Sequence, residues 1–325
     1  MSSCCKVCSL PDGVYIGNSI FLCDPDDKSF PFKEKVYLNE DGVCNFCERY
    51  QQNFKQSDLD KQLKAFLNLK RLPGSDYDAL VAYSGGKDSS IALYLAKRVL
   101  NLNVIAYTLD NGFIPDEVLK RSKSICDFLE VPLVVVKDDI YNNFLENYEL
   151  DSTSNKWFAK KKKDLCSDCS NKIFSNLRSL LDKYKIQRVI TGLNTYHDLS
   201  EFSVRSVKKY WYQSIDSSKS FYWHIALPYT MQINMEMQND ILQKINWSDI
   251  NLKGYTSNCL IPGFTEGLCQ TKSKYNLDIV YLAKEKRSGY FKNNDESFLQ
   301  LLKPKIMTDT DHETITSFFM EKGLI

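Results

Sequence analysis

The amino-acid sequence predicts an α/β protein built on a doubly wound parallel sheet, with a small cysteine-rich module before the sheet and a region of mixed periodicity after it. Three observations carry this expectation. Short apolar runs alternate with stretches of helical periodicity between residues 76 and 200, the pattern of repeated β-α units. Six of the eleven cysteines fall before residue 50. Beyond about residue 200 the chain is richer in Tyr, Trp, Ser and Asn and loses a single period.

The composition fits a chain with a sizeable core. Hydrophobic residues make up 43% and charged residues 26% of 325, which excludes wholesale disorder. Lys and Arg number 42 against 41 Asp and Glu, so the chain lacks the overall basicity of a dedicated nucleic-acid binder. The run Lys160 to Lys163 reads as a solvated face, although a basic patch on one side could still hold RNA. No apolar run is long enough to span a bilayer, and Met1-Ser-Ser-Cys-Cys-Lys lacks the order of a secretory signal. The expected location is cytoplasmic, with no membrane partner. Thiols in such a reducing compartment argue for metal or redox chemistry before disulfides.

Taken in order, residues 1–50 contain two CxxC pairs, Cys5/Cys8 and Cys44/Cys47, each beside turn-forming residues such as Pro11-Asp-Gly13 and Asn39-Glu-Asp-Gly42. Residues 51–75 read as an amphipathic linker helix through Phe54, Leu59, Leu63 and Phe66, ending at Pro73-Gly74. Residues 76–200 form the α/β domain. Its expected strands are Tyr77–Tyr83, Asn103–Leu109, Val131–Val136 and Gln187–Thr191, with helices at Ser89–Lys97, Pro115–Leu129 and Asn171–Leu181 and a further helical region after Val136. Residues 201–325 are expected to hold short helical pieces and a terminal helix from Asp311.

Between the first strand and first helix lies Ser84-Gly-Gly-Lys-Asp-Ser89. Gly85 and Gly86 admit backbone shapes other residues resist, and they let N–H groups approach anionic oxygens at a helix N-terminus. Ser84 and Ser89 offer hydroxyls and Lys87 a positive charge. Asp88 would repel a phosphate, which suits magnesium binding or a role inside the loop. Gly85-Gly86 as a mere tight turn is the bland alternative. The stretch Val81-Ala-Tyr-Ser-Gly-Gly-Lys-Asp-Ser-Ser-Ile-Ala-Leu93 resembles the PP-loop ATP pyrophosphatases, whose HUP-like fold is a doubly wound sheet. That resemblance implies ATP with Mg2+ and adenylation of a substrate oxygen with release of pyrophosphate. It also makes Asp110, at the end of the next strand, a ribose or substrate contact; an Asp-Asn-Gly turn explains Asp110 almost as well. The family's Thr-Gly-His-Asn is matched by Thr191-Gly192-Leu193-Asn194, where Leu193 replaces the histidine and the polar contact the histidine would make is expected to be absent.

Cys166-Ser-Asp-Cys169 lies just ahead of an expected helix and admits three readings: half a zinc site, a thiol redox pair, or part of an iron–sulfur site. The PP-loop tRNA 2-thiolation enzymes carry CxxC in this region and a third cysteine about ninety residues later. The chain is similar to them, with Cys259 in that place 90 residues after Cys169 and Cys269 in reserve. The resemblance implies a [4Fe–4S] cluster on Cys166, Cys169 and Cys259 with one iron open for sulfide, or else a persulfide on one of these cysteines. Cys166, Cys169, Cys259 and Asp88 are then the catalytic candidates.

Cys5, Cys8, Cys44 and Cys47 have the pattern of a tetrahedral Zn2+ site, which would supply folding free energy to a segment poor in apolar residues; the roles of Cys4 and Cys23 stay open. Around Leu38-Asn-Glu-Asp-Gly-Val-Cys-Asn-Phe-Cys-Glu-Arg-Tyr50 the module also resembles the N-acetyl sugar amidotransferases of the same superfamily. Two functions follow. One is an ATP-dependent sulfur transferase acting on a small molecule, a nucleobase or tRNA, with a separate sulfur donor. The other is a sugar amidotransferase fed with ammonia by a partner glutaminase.

Overall fold

The computed structural model describes residues 3–17, 21–23, 25–26, 28, 31–160, 165–196, 204–250, 258–269, 278–291, 298, 303 and 307–325. Lys161 to Lys163 of the basic run lie outside the described residues. The N-terminal module opens with a small antiparallel sheet, in which β1 (Tyr15–Gly17) pairs with β2 (Phe21–Cys23) on one side and β3 (Lys33–Lys35) on the other. The expected linker helix is in fact two helices, α1 (Asn45–Asn53) and α2 (Gln56–Leu67). Phe54 and Lys55 between them are extended, and Phe54 stacks on Tyr50 with ring centroids 5.2 Å apart. The break lets α2 turn Leu59 and Phe66 into the core, which one straight helix could not do along with Tyr50.

The central sheet follows. Strand β4 (Ala79–Ala82) leads through the glycine loop into α3 (Lys87–Tyr94), which continues as one wide π turn to Val99. Next come β5 (Val104–Asp110), α4 (Asp116–Leu129) and β6 (Leu133–Lys137). Where a further helical region was expected, the chain forms only a short α5 (Tyr141–Asn147) and then a hairpin of β7 (Tyr148–Asp151) and β8 (Lys156–Ala159). The reason is aromatic packing. Tyr148 and Trp157 point inward from the two strands, into a cluster with Phe113, Phe144 and Phe319, while Glu149 and Phe158 point outward.

Helix α6 (Leu165–Tyr184) starts earlier than Asn171, so the Cys166/Cys169 pair sits on its first turns and not ahead of it. Leu165, fully buried in the same aromatic cluster, anchors that extra length. After β9 (Arg188–Thr191) the chain makes β10 (Val207–Gln213) and β11 (Lys219–Ala226), where the sequence had suggested short helices. Rings on both faces, Tyr210 against Tyr222 and Trp211 against Phe221, hide the two-residue period that marks a strand.

The six strands run in the order β10-β11-β9-β4-β5-β6, all parallel except the edge strand β10. Chain order therefore reverses between β4 and β9, the place in such a sheet where a crevice opens beyond the strand ends. Among the described residues the remaining helices are α7 (Leu227–Thr230), α8 (Met235–Lys244), α9 (Ile261–Cys269), α10 (Ile279–Arg287) and α11 (Asp309–Glu321). Thr308 starts α11 with a reciprocal capping box to Asp311. Among the described residues no helix is long and apolar enough to cross a membrane.

One buried cation ties the base of the sheet together. Arg188, 4% exposed, donates to the carbonyls of Asp78 and Leu67 and to Asp78 Oδ1 at 3.0 Å. Asp78 also pairs with Arg71 at 3.0 Å and stays partnered without Arg188, so the cost is that of the carbonyls left unpaired: Arg188→Met is expected to lower stability by about 2 kcal/mol, read as a lower urea midpoint with an unchanged slope.

Candidate active site and metal knuckle

The glycine loop closes on itself through its two serines. The Ser84 N–H donates to Ser89 Oγ at 3.2 Å, the two hydroxyls lie 3.1 Å apart, and Ser89 Oγ donates to the carbonyl of Gly86 at 3.0 Å. Gly85 has φ +75°, and a Cβ there would stand 2.0 Å from Ser122 Oγ, so only glycine fits. Its carbonyl is turned away from the crevice and held by Arg121 at 2.8 Å and Trp247 Nε1 at 3.3 Å. Gly86 is the N-cap of α3, and as a glycine it has no side chain to cap the N–H groups of that first turn. They point, with the helix dipole, at the position an anionic oxygen would take.

Gly192 stands directly after β9, and a Cβ on it would meet the backbone of Asp88 and Ser89 at 2.4 to 2.5 Å. The first turn of α3 is therefore in backbone contact with the exit of β9. Asp110, at the end of β5, accepts the Gly112 N–H at 3.1 Å, which is a turn contact. Leu193, in place of the family's histidine, packs beside Tyr196 and Tyr229, and the adjacent Asn194 supplies the polar group at this place.

Sequence reasoning missed a buried polar chain behind the loop. Lys87 Nζ is in short contact with Tyr290 Oη and lies 5.1 Å from that ring's centre. Tyr290 Oη donates to Gln238 Oε1 at 3.0 Å, Gln238 Nε2 to Asn194 Oδ1 at 2.9 Å, and Asn194 Nδ2 to Glu285 Oε1 at 3.4 Å. Burial works against charge on Lys87, but the Asp88 carboxylate and the hydrogen bond with Tyr290 outweigh it and hold the ammonium form. Asp88 Oδ1 lies 3.5 Å from Lys87 Nζ and accepts no hydrogen bond among the described residues. That buried acceptor suits a magnesium ion beside the loop. Residues 200–325 had given no periodicity to flag these groups.

The inner cysteines lie on the same side of the sheet. Asn111, just beyond β5, extends Nδ2 to Cys169 Sγ at 3.3 Å and to Cys259 Sγ at 3.6 Å. Asn258, beside Cys259, lies against Gly86 of the loop, within 3.4 Å of where a Cβ would be. Burial raises both thiols, against the Asn111 amide, and Cys259 is pushed up to about 11. Cys166 is on the exposed side of α6, and the side chain of Cys269 lies outside the described ones. Only the Asp-Asn-Gly sequence hinted at Asn111, and it read as a turn.

The N-terminal cysteines converge fully. Cys5, Cys8, Cys44 and Cys47 are at most 2% exposed and their sulfurs lie within 4.8 Å of one another. Among the described residues this is the one group of three or more potential ligands so gathered. Cys5 and Cys47 are 3.7 Å apart, Cys8 and Cys44 3.6 Å. Four thiolates about 2.3 Å from one tetrahedral ion would be about 3.8 Å apart, so the set fits a single metal ion. Local structure explains the convergence. Cys44 is the N-cap of α1 with Cys47 on its first turn, and the Cys44 N–H donates to Cys5 Sγ at 3.3 Å.

Glu285 gives a pH prediction. Burial first, and the nearby Asp88, push its carboxyl up to about 8 in the folded protein, above the ordinary carboxylate value. A group raised on folding favours the folded state below its unfolded value and loses that contribution as pH climbs through the folded one. Stability is therefore expected to fall between about pH 4.5 and 8, by up to roughly 1.4 kcal/mol per pH unit from this group. Glu285→Gln should flatten that slope in urea denaturation at a series of pH values; an unchanged slope would place its source elsewhere.

No family model matches the chain. An uncharacterized protein of Methanocaldococcus jannaschii is 25% identical over 280 residues, covering 84% of this chain and 91% of that protein. Among solved structures, NMN synthetase from Francisella tularensis aligns with 42% of this chain and 54% of its own at 17% identity and a TM-score of 0.28. The U34-tRNA thiolase NcsA from Methanococcus maripaludis, solved with its [4Fe–4S] cluster, aligns with 60% of this chain and 55% of its own at 16% identity and a TM-score of 0.27. The chain spans about half the length of these two solved structures.

Proposed function

We propose that the protein is an ATP-dependent sulfur transferase of the PP-loop type. The observation that carries the reading is the approach of Cys169 and Cys259 to one amide, Asn111, with Asn258 bringing that pair against the glycine loop. Nucleotide chemistry and thiol chemistry thus share one crevice at the strand ends. The uncapped first turn of α3, Ser84, Ser89 and Lys87 would hold the pyrophosphate portion of ATP, and Asp88 would hold magnesium. A substrate oxygen attacks the α-phosphorus, the bond to pyrophosphate breaks, and the substrate carbon becomes electrophilic. Sulfur then forms a bond to that carbon, and the oxygen departs with AMP.

Cys166, Cys169 and Cys259 would hold a [4Fe–4S] cluster, whose chemistry is an iron left open to bind sulfide. The chain's own residues do the rest. Asn111 fixes the direction of two thiols, and the apolar cluster around Phe113, Phe264 and Leu268 packs against Cys169 and Cys259. Cys166, on the first turn of α6, lies on the accessible side, where a ligand from solution would arrive. In the N-terminal module Cys5, Cys8, Cys44 and Cys47 would bind Zn2+ as a structural ion. A nucleobase, a small molecule or tRNA remains within reach of an open crevice.

Anaerobic purification tests the cluster. The expected protein is brown, contains iron and sulfide as well as zinc, and loses iron but keeps zinc on Cys259→Ala. A colourless protein with zinc alone would count against sulfur transfer and favour nitrogen transfer to a sugar.

The loop has its own test. Ser84→Ala and Asp88→Ala are each expected to lower pyrophosphate release at least about a hundredfold, from lost charge stabilisation at the transferred phosphate. Release kept in both variants would refute the assignment of this loop.

A further inference from the structure

Helix α10 carries a run of four charged residues, Lys284-Glu-Lys-Arg287, and the run is buried. Lys284, Glu285, Lys286 and Arg287 are only 3%, 7%, 8% and 7% exposed. Side chains three and four positions apart share a helix face. Val280, Ala283 and Arg287 form one face, packed on the four-cysteine knuckle. Tyr281 and Glu285 form another, within electrostatic reach of Asp88 in the glycine loop.

The knuckle face carries a charge contact. Arg287 Nε donates to Cys47 Sγ at 3.3 Å, Nη2 to Cys8 Sγ at 3.6 Å and Nη1 to Tyr196 Oη at 3.0 Å. A guanidinium this deep costs several kcal/mol to desolvate unless an anion faces it. Four thiolates on a divalent ion carry two net negative charges, and Arg287 cancels one of them. The loop face is fixed by the end of the same helix. Gly289, at φ +82°, turns the chain so that the Tyr290 N–H donates to the carbonyl of Glu285 at 3.1 Å, and this sets Tyr290 Oη against Lys87.

We propose that α10 couples the two sites: Arg287 is the counter-ion of the thiolate metal centre, and the helix end it anchors presents Tyr290 to the loop lysine, so metal and nucleotide strengthen each other's binding. The coupling rests on the reading of the loop as a nucleotide site. It is reciprocal, because the same helix position is favoured by both ligands.

The full chain loaded with zinc(II) is titrated with a chromogenic chelator, with and without ATP, magnesium being present in both arms. ATP is expected to tighten zinc binding at least about fivefold. Tyr290→Phe, which leaves every cysteine and Lys87 in place, should still bind ATP by calorimetry but lose that effect. Arg287→Met should weaken zinc about ten- to a hundredfold, the range for lost outer-sphere hydrogen bonds, with Arg287→Lys in between. Should Arg287→Met fail to fold, the wild-type comparison and Tyr290→Phe still decide. Unchanged zinc affinity in a wild type that binds ATP would overturn the coupling alone. An ATP effect kept in Tyr290→Phe, or zinc affinity unmoved in Arg287→Met, would overturn the route through α10. Absence of ATP binding in calorimetry would remove the loop assignment and the coupling with it.

Discussion

The backbone contact between Gly192 and the Asp88–Ser89 peptide is the constraint on which the site depends. Two neighbouring parallel strands, β4 and β9, send their chains in opposite directions at this point. The space between their ends would ordinarily be filled by a side chain. Here a Cβ on Gly192 would collide with main-chain atoms, so the start of α3 is pressed against the exit of β9 with nothing between them. The first-turn amides are thereby aimed into the crevice, and Lys87 is set where Tyr290 and Asp88 meet it. Ser122 and Val118, pressed against Gly85, close the loop from the α4 side.

That constraint also explains why residues distant in sequence gather behind the loop. With the anion position in front, the rear of α3 must be filled by groups that tolerate a buried ammonium. Gln238, Asn194, Tyr290 and Glu285 answer this with a connected run of hydrogen bonds and one acid that burial keeps largely protonated near neutral pH. An apolar filling would leave Lys87 with Asp88 alone and take away its hydrogen bond with Tyr290. The N-terminal knuckle is bound into the same scheme, since its sulfurs accept from a helix whose other face looks at the loop.

Where chemistry and backbone shape coincide in one short stretch, the sequence was legible. Ser84-Gly-Gly-Lys-Asp-Ser89 announces a strand, a turn at positive φ and a helix start, and all three occur there. The two N-terminal CxxC pairs were equally plain, because four thiols at two such spacings have the pattern of a tetrahedral metal site. The hairpin of β7 and β8 was hidden, since Trp157 finds its ring partner in Phe319, more than 150 residues on. Strands β10 and β11 carry rings on both faces, and an unbroken aromatic pattern has no period to read. Arg287 was least legible of all. A charge run is normally solvated, and only the anion it meets, gathered from residues 8 and 47, reverses that rule.

The inner cysteines show how far local spacing reaches. Cys166 and Cys169 are three apart on a helix, which makes them neighbours on its surface, yet Cys166 is exposed and Cys169 half-buried. Cys259 joins Cys169 through Asn111, a residue from the neighbouring strand end whose amide can donate to both sulfurs at once. An amide donor stabilises sulfur in its anionic form, and two buried thiols raised by burial have most need of that help. Asn111 therefore favours whatever state of the crevice puts negative charge on these sulfurs. Binding of a cation or cluster there would relieve the same desolvation cost that the bare thiols bear, which is the physical reason to look for metal at this end of the sheet.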